Sequence, residues 1–295
     1  MSSLTQGETL SYHEVMKALS RIVHYALALV FSILVVVWAV VVLFIASSYL
    51  NGNARAADRV EPVRVAVIDT GLDMDDPRFK AHLCESGHLD WTKTGLKDTM
   101  GHGTHVAGLI VANAGRANYC LVIVKYYVLG ADDHTTVVRE GDAFRWAMDN
   151  GAQVVNFSGG GPAMHEPEYL AIKSHPKVLF VVAAGNEGKS VTEPGDSYYP
   201  AAIRLPNVIV VGNGTSAKDR AASSNFGPRV DVWEDGREVE STLPGGKRGK
   251  MTGTSMATAI HTGKLLSRLA GTARDSSGSE TAAPVGIGER WMNRK

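Results

Sequence analysis

VRVAVIDTG, residues 63–71, is an almost unbroken apolar run that stops on an aspartate and a glycine. Apolar positions that do not alternate with polar ones are expected in a strand whose two faces are both covered. Four further runs of this kind follow at CLVIVKYYV (120–128), AQVVNF (152–157), VLFVVAA (178–184) and VIVVG (208–212). The longer stretches between them, such as residues 135–150, can supply the covering helices. The fold read from this alternation is α/β, with a doubly wound, mainly parallel sheet over residues 63–271. In such sheets functional groups collect beyond the carboxyl ends of the strands. Asp69 ends the first run, and Asn186, in GNEG, follows the fourth. Two helix-compatible segments open with GHGTHVAG (101–108) and GTSMATA (253–259).

The 295 residues are 20% charged and 44% hydrophobic, enough for one medium-sized domain with additions. Lys plus Arg equals Asp plus Glu at 30 each, so the summed charge offers no attraction for nucleic acid. Cys84 and Cys120 are too few for a disulfide framework or a zinc site. They fit either one bridge in an oxidising compartment or two separate small apolar residues. Nothing in the sequence calls for a cofactor.

Residues 26–46, ALALVFSILVVVWAVVVLFIA, carry no charge, and 21 residues of helix suffice to cross a hydrocarbon core. Ser11 with Glu14 fits a capping box, so a helix is expected to begin near Tyr12 in the amphipathic segment 1–25 and run into the span. A cleaved signal peptide competes, because ARA at 54–56 is a small-x-small site, but the apolar run exceeds the usual signal core. Lys17 and Arg21 before the span are balanced by Arg55, Arg59 and Arg64 after it, so the charge rule is close to a tie. The expected arrangement is a single pass through the cell membrane, a linker over 47–62, and the large domain on the periplasmic or extracellular side. Residues 272–295 are rich in small polar residues and read as a disordered tail.

Each residue at the strand ends has an ordinary reading when taken alone. Ser255 can cap a helix, Asp69 and Asn186 can serve turns, and His102 and His105 can pack. Three residues apart, the two histidines also suggest a metal pair, but no third ligand is evident. Together, however, they complete one chemical requirement. A serine hydroxyl needs a base to take its proton, the base needs a carboxylate to orient it, and the developing oxyanion needs a donor.

VAVIDTG (65–71), GHGTHVAG, AAGNEG (183–188) and GTSMATA resemble, in this order, the catalytic blocks of subtilisin-like serine peptidases. The resemblance implies Ser255 as nucleophile, His102 as general base, Asp69 as its orienter and Asn186 as oxyanion donor, with His105 structural. It also implies that NFSGGG (156–161) offers Ser158, Gly159 and Gly160 to the backbone of a peptide or protein substrate. YYP at 198–200 is similar to a family segment that can hold a cis proline. Pocket walls of glycine and alanine imply tolerance for sizeable apolar side chains.

The pattern also departs from the family. Thr258, Ala259 and Ile260 stand where a proline and a histidine are usual. Arg78 replaces a calcium-binding aspartate and the later calcium loop is reduced to NAGRANY (113–119), so no metal is expected. Residues 1–62 leave little room for a folding propeptide. These departures suit an alternative, a catalytically inactive domain that binds peptides or proteins. An esterase fits less well, because Ser255 lies outside a GxSxG elbow.

Overall fold

The computed structural model describes residues 12–57, 61–127, 130, 133–193 and 195–275. The chain divides into two units, Met1–Val60 and Glu61–Lys295. In the first, α1 (Tyr12–Ala57) is one continuous helix, and within it Val15–Ser47 is long and apolar enough to cross a membrane. Its large side chains, Phe31 and Trp38 among them, are exposed rather than packed against protein. Ser11, read with Glu14 as a capping box, lies outside the described residues. It also occupies most of the stretch read as a linker, because the alanines and leucine of 46–57 are good helix formers. They outweigh Gly52, which costs about 1 kcal/mol in a helix interior.

The second unit contains, in chain order, β1 (Val63–Asp69), α2 (Pro77–Lys80), β2 (Leu89–Asp90), α3 (His102–Ala114), β3 (Tyr119–Lys125), α4 (Asp133–Asp149) and β4 (Val154–Phe157). These are followed by α5 (Glu166–Ser174), β5 (Leu179–Ala183), β6 (Val208–Asn213), β7 (Val232–Glu234), β8 (Val239–Leu243), β9 (Lys247–Met251) and α6 (Thr254–Asp275). Seven strands form one parallel sheet in the order β2-β3-β1-β4-β5-β6-β7, and β8 and β9 make a separate antiparallel hairpin. From β1 the chain first builds outward through β2 and β3, then returns to the other side of β1 with β4. The crevice beyond the carboxyl ends of β1 and β4 is therefore the topological switch point.

Side-chain alternation along each strand explains the unbroken apolar runs. Ala66, Ile68, Val122, Val124, Phe180 and Val182 pack with Phe144 of α4 and Ile172 of α5. The intervening residues Val65, Val67, Leu121, Ile123, Leu179 and Val181 pack on the other face with Ile110 of α3 and Met256 and Leu265 of α6. Burying each larger aliphatic side chain contributes about 1.5–3 kcal/mol, so a polar residue on either face is disfavoured.

Cys84 and Cys120 form a disulfide across 36 positions of sequence, deciding between the two readings of this pair. It joins the segment before β2 to β3. By closing a loop of this length it is expected to stabilise the domain by about 4 kcal/mol. Denaturant titration of Cys84→Ala/Cys120→Ala measures this, and an unchanged midpoint contradicts it.

α6 extends to Asp275, so the domain's last helix includes residues 272–275, which their composition assigns to a tail; residues 276–295 lie outside the described ones. The helix also runs without interruption through Thr258, Ala259 and Ile260. Thr258 Oγ1 donates back to the Thr254 carbonyl at 2.7 Å, and Ala259 is fully buried, so the altered segment preserves the helix start.

Candidate active site

Asp69 is the last residue of β1 and is buried. Its Oδ1 accepts from the Thr70 amide at 2.7 Å and from His102 Nδ1 at 2.8 Å. The bond to a carboxylate puts the imidazole proton on Nδ1 and leaves Nε2 as an acceptor. Asp69's negative charge raises the His102 pKa above its ordinary 6.5, opposed by burial and helped by the hydrogen bond and by Asp98.

His102 is the first residue of α3, and Gly101, with φ 87°, turns the chain into it without any side-chain cap of its own. Asp98 supplies the missing cap. Its Oδ1 accepts from the amides of Met100 and Gly101 and from Thr70 Oγ1 at 2.8–2.9 Å. Its Oδ2 accepts from the Thr104 amide and hydroxyl at 2.9 and 2.7 Å. Thr70 Oγ1 in turn accepts from the Gly103 amide at 2.9 Å. One buried carboxylate thus fixes the end of β1 to the start of α3 and sets the position of His102. Sequence reading missed it, although an acid four residues before His102 was a helix-start signal. Gly103 is required by contact: a Cβ there would lie 2.2 Å from the Gly71 carbonyl oxygen.

His105, one turn further on, is fully buried, with Nε2 3.1 Å from the carbonyl oxygens of Val239 and Gly249. It anchors the β8–β9 hairpin and is apart from the His102 pair.

At the start of α6, the Thr254 amide and hydroxyl donate to Asn186 Oδ1 at 2.9 and 3.2 Å. This fixes the amide plane and leaves Asn186 Nδ2 as an outward donor. Ser255 is buried, and its Oγ donates to the Ser158 carbonyl at 3.1 Å. Ser158 Oγ returns a bond to the Ser255 carbonyl at 3.2 Å. The structure therefore joins Asp69 to His102, Ser255 to Ser158, and Asn186 to the residue before Ser255. Its serine hydroxyl is turned to Ser158 and not to His102.

A cavity of about 760 Å³ is lined by Asp69 and His102 and also by Ser158, Gly159 and Gly160. Gly160 has φ 150°, and a Cβ on it would come within 2.3 Å of the Tyr199 carbonyl oxygen and 2.6 Å of the Tyr198 ring. The Tyr198 ring also lies against Gly185. The ring therefore packs against both glycines, the small-residue walls that implied tolerance for sizeable apolar side chains, and lines the cavity that remains. The Tyr199-Pro200 bond is cis. Among the described residues no group of acids, histidines or cysteines is arranged to hold a metal. At the position read as a lost calcium ligand, Arg78 donates through Nε to both Asp76 oxygens at 2.8 and 3.0 Å and holds that carboxyl below its usual range.

A parallel sheet with a cavity at its switch point is a frame that many enzymes share, and the relatives of the chain decide which class this one is. The chain belongs to the Subtilase family, whose model matches residues 61–273. It is similar to the major intracellular serine protease of Bacillus subtilis (strain 168), 34% identical over 220 residues that cover 69% of this chain and 67% of that protein. It is also similar to subtilisin of Bacillus pumilus, 35% identical over 208 residues, 66% of this chain and 72% of the relative. A cold adapted subtilisin-like serine proteinase has the same fold, with TM-score 0.59 and 27% identity over 77% of this chain and 80% of that one. The chain is accordingly a serine endopeptidase acting on peptides or proteins.

Proposed function

We propose that this endopeptidase is anchored in a membrane by α1 and cleaves through an Asp69, His102, Ser255 triad with an acyl-enzyme intermediate. The observation that carries the proposal is the 2.8 Å bond from His102 Nδ1 to Asp69 beside the substrate cavity. For attack, the Ser255 hydroxyl rotates from the Ser158 carbonyl toward His102 Nε2. His102 takes its proton as Oγ bonds to the scissile carbonyl carbon, and Asp69 stabilises the imidazolium. Asn186 Nδ2 and the Ser255 amide at the start of α6 receive the oxyanion, with the helix dipole favouring the charge. His102 then protonates the leaving amine. Water, deprotonated by the same imidazole, releases the acid from Ser255.

Asn186→Ala is expected to reduce kcat by about 10²- to 10³-fold, a size taken over from subtilisin's oxyanion asparagine, with a much smaller change in KM. Steady-state kinetics on a peptide substrate check it, and an unchanged kcat removes Asn186 from the oxyanion site.

The alternative is a non-hydrolysing peptide binder, favoured by the hydrogen bond that turns Ser255 toward Ser158. Peptide binding without product, unchanged by Ser255→Ala, selects that alternative; release of product that depends on Ser255 excludes it.

The uncharged span in α1 supports membrane anchoring, and the Cys84 to Cys120 disulfide supports a domain on the oxidising side of that membrane. Shaving with an external protease, on cells whose outer envelope has been opened and whose inner membrane is intact, tests both. Loss of the peptidase domain while α1 stays with the membrane fraction is expected, whereas complete protection of the domain contradicts this sidedness.

A further inference from the structure

The cavity beside His102 is also lined by two carboxyl groups that the proposed reaction does not use. Glu140 of α4 and Glu168 of α5 both face it, though they are only 7% and 2% exposed. One oxygen on each, Oε1, has no hydrogen-bond partner among the described residues. Burial pushes the Glu168 carboxyl up to about 8, and burial, Glu168's charge and a hydrogen bond between the two side chains raise Glu140 well above the ordinary range. No lysine or arginine among the described residues forms an ion pair with either.

Two buried acids without a cation are costly, and apolar residues at these helix positions would pack more stably. The surrounding wall is aromatic, formed by Tyr126, Tyr127 and Tyr198. Such a wall suits the aliphatic stem of a long basic side chain, and the acids suit its charged head. Ser158, Gly159 and Gly160 line the same cavity, and the substrate backbone before the cut is expected to lie along them.

We propose that Glu140 and Glu168 form a subsite for a lysine or arginine side chain on the acyl side of the cleaved bond. The inference rests on the proposed reaction and adds a substrate class to it. In the free site the two carboxyl groups hold their protons and bond to one another; a bound cation favours their charged forms, so a basic side chain enters as the pair gives up a proton.

The test uses the purified full chain in detergent micelles with peptides carrying Lys, Arg, Leu, Phe or Gln at each of four positions before the cut. At one of these positions Lys or Arg is expected to be preferred by about 10- to 100-fold in kcat/KM, the range of a charged hydrogen bond. Glu140→Gln and Glu168→Gln, measured separately, are expected to remove most of that preference, chiefly through KM, while discrimination at the other positions persists. Hydrolysis without a basic preference in the wild type, or a preference retained in both variants, overturns the subsite and leaves the reaction standing. Absence of both hydrolysis and fluorophosphonate labelling overturns the reaction and the subsite together. Should a glutamine variant fail to fold, shown by loss of labelling, the wild-type profile decides between the first two outcomes.

Discussion

Ser255→Ala is expected to lower kcat on a peptide substrate about a millionfold, a size taken over from subtilisin, in which loss of the nucleophile costs that much. The reason is that Ser255 stands at the start of α6 with Asn186 fixed beside it by Thr254. Without Oγ, no acyl-enzyme forms, and the remaining rate comes from binding and the oxyanion donors alone. The exchange removes one oxygen and one bond to the Ser158 carbonyl, so the helix is retained and the loss should fall on kcat while KM changes little. Burst kinetics with an activated ester provide the check: the wild type gives a burst of acylation, and the variant gives none. A variant within tenfold of wild type would assign the chemistry to another group.

Asp69→Asn is the second large effect, with kcat/KM expected to fall by about 10⁴-fold. The carboxylate fixes the proton on Nδ1 and favours the charged imidazole that forms during attack; an asparagine can present its NH₂ instead and leave His102 in the wrong tautomer. The same substitution separates orientation from charge through pH. Asp69 holds the His102 pKa above 6.5, and a general base must be neutral, so activity is lost as pH falls through that raised value. In Asp69→Asn the residual activity should survive to lower pH, because the imidazolium has lost its stabilising partner. A pH profile whose acid limb stays in place would mean that another group titrates.

The Glu140 and Glu168 pair also predicts how stability varies with pH. An acid with a raised folded pKa holds its proton in the native state while the unfolded chain has released it. Stability is therefore lost as pH rises above about 4.5, with the Glu168 share of the loss falling between about 4.5 and about 8. Thermal melts across this window should show Glu168→Gln with a shallower decline than wild type, and parallel curves would contradict it.

Much of this architecture was legible because both sheet faces are buried. β1, β4, β5 and β6 lie where continuous apolar runs were read, since any polar residue in them would need a buried partner. β3 ends at Lys125, three residues before its run does. The Lys125 ammonium turns in to donate to Thr94 Oγ1 and the carbonyls of Gly95 and Lys97 at 2.7–3.0 Å, contacts that only the folded loop creates. β7, with three residues, and β9, KRGKM, carry too little periodic signal to be read. At the site, Asp69 and His102 were placed by motif and stand bonded. Asp98 was missed although its place before α3 was a local signal, whereas Glu140 and Glu168 were not foreseen because acids in a helix pattern ordinarily face water and nothing local reveals that α4 and α5 turn them inward.

The proposed chemistry is tested most directly by treating the purified full chain with a fluorophosphonate and locating the adduct by peptide mass spectrometry. The account predicts one adduct, on Ser255, that is lost in Ser255→Ala and strongly slowed in Asp69→Asn. A wild-type chain that remains unlabelled, or that carries the adduct on a different serine, would contradict it.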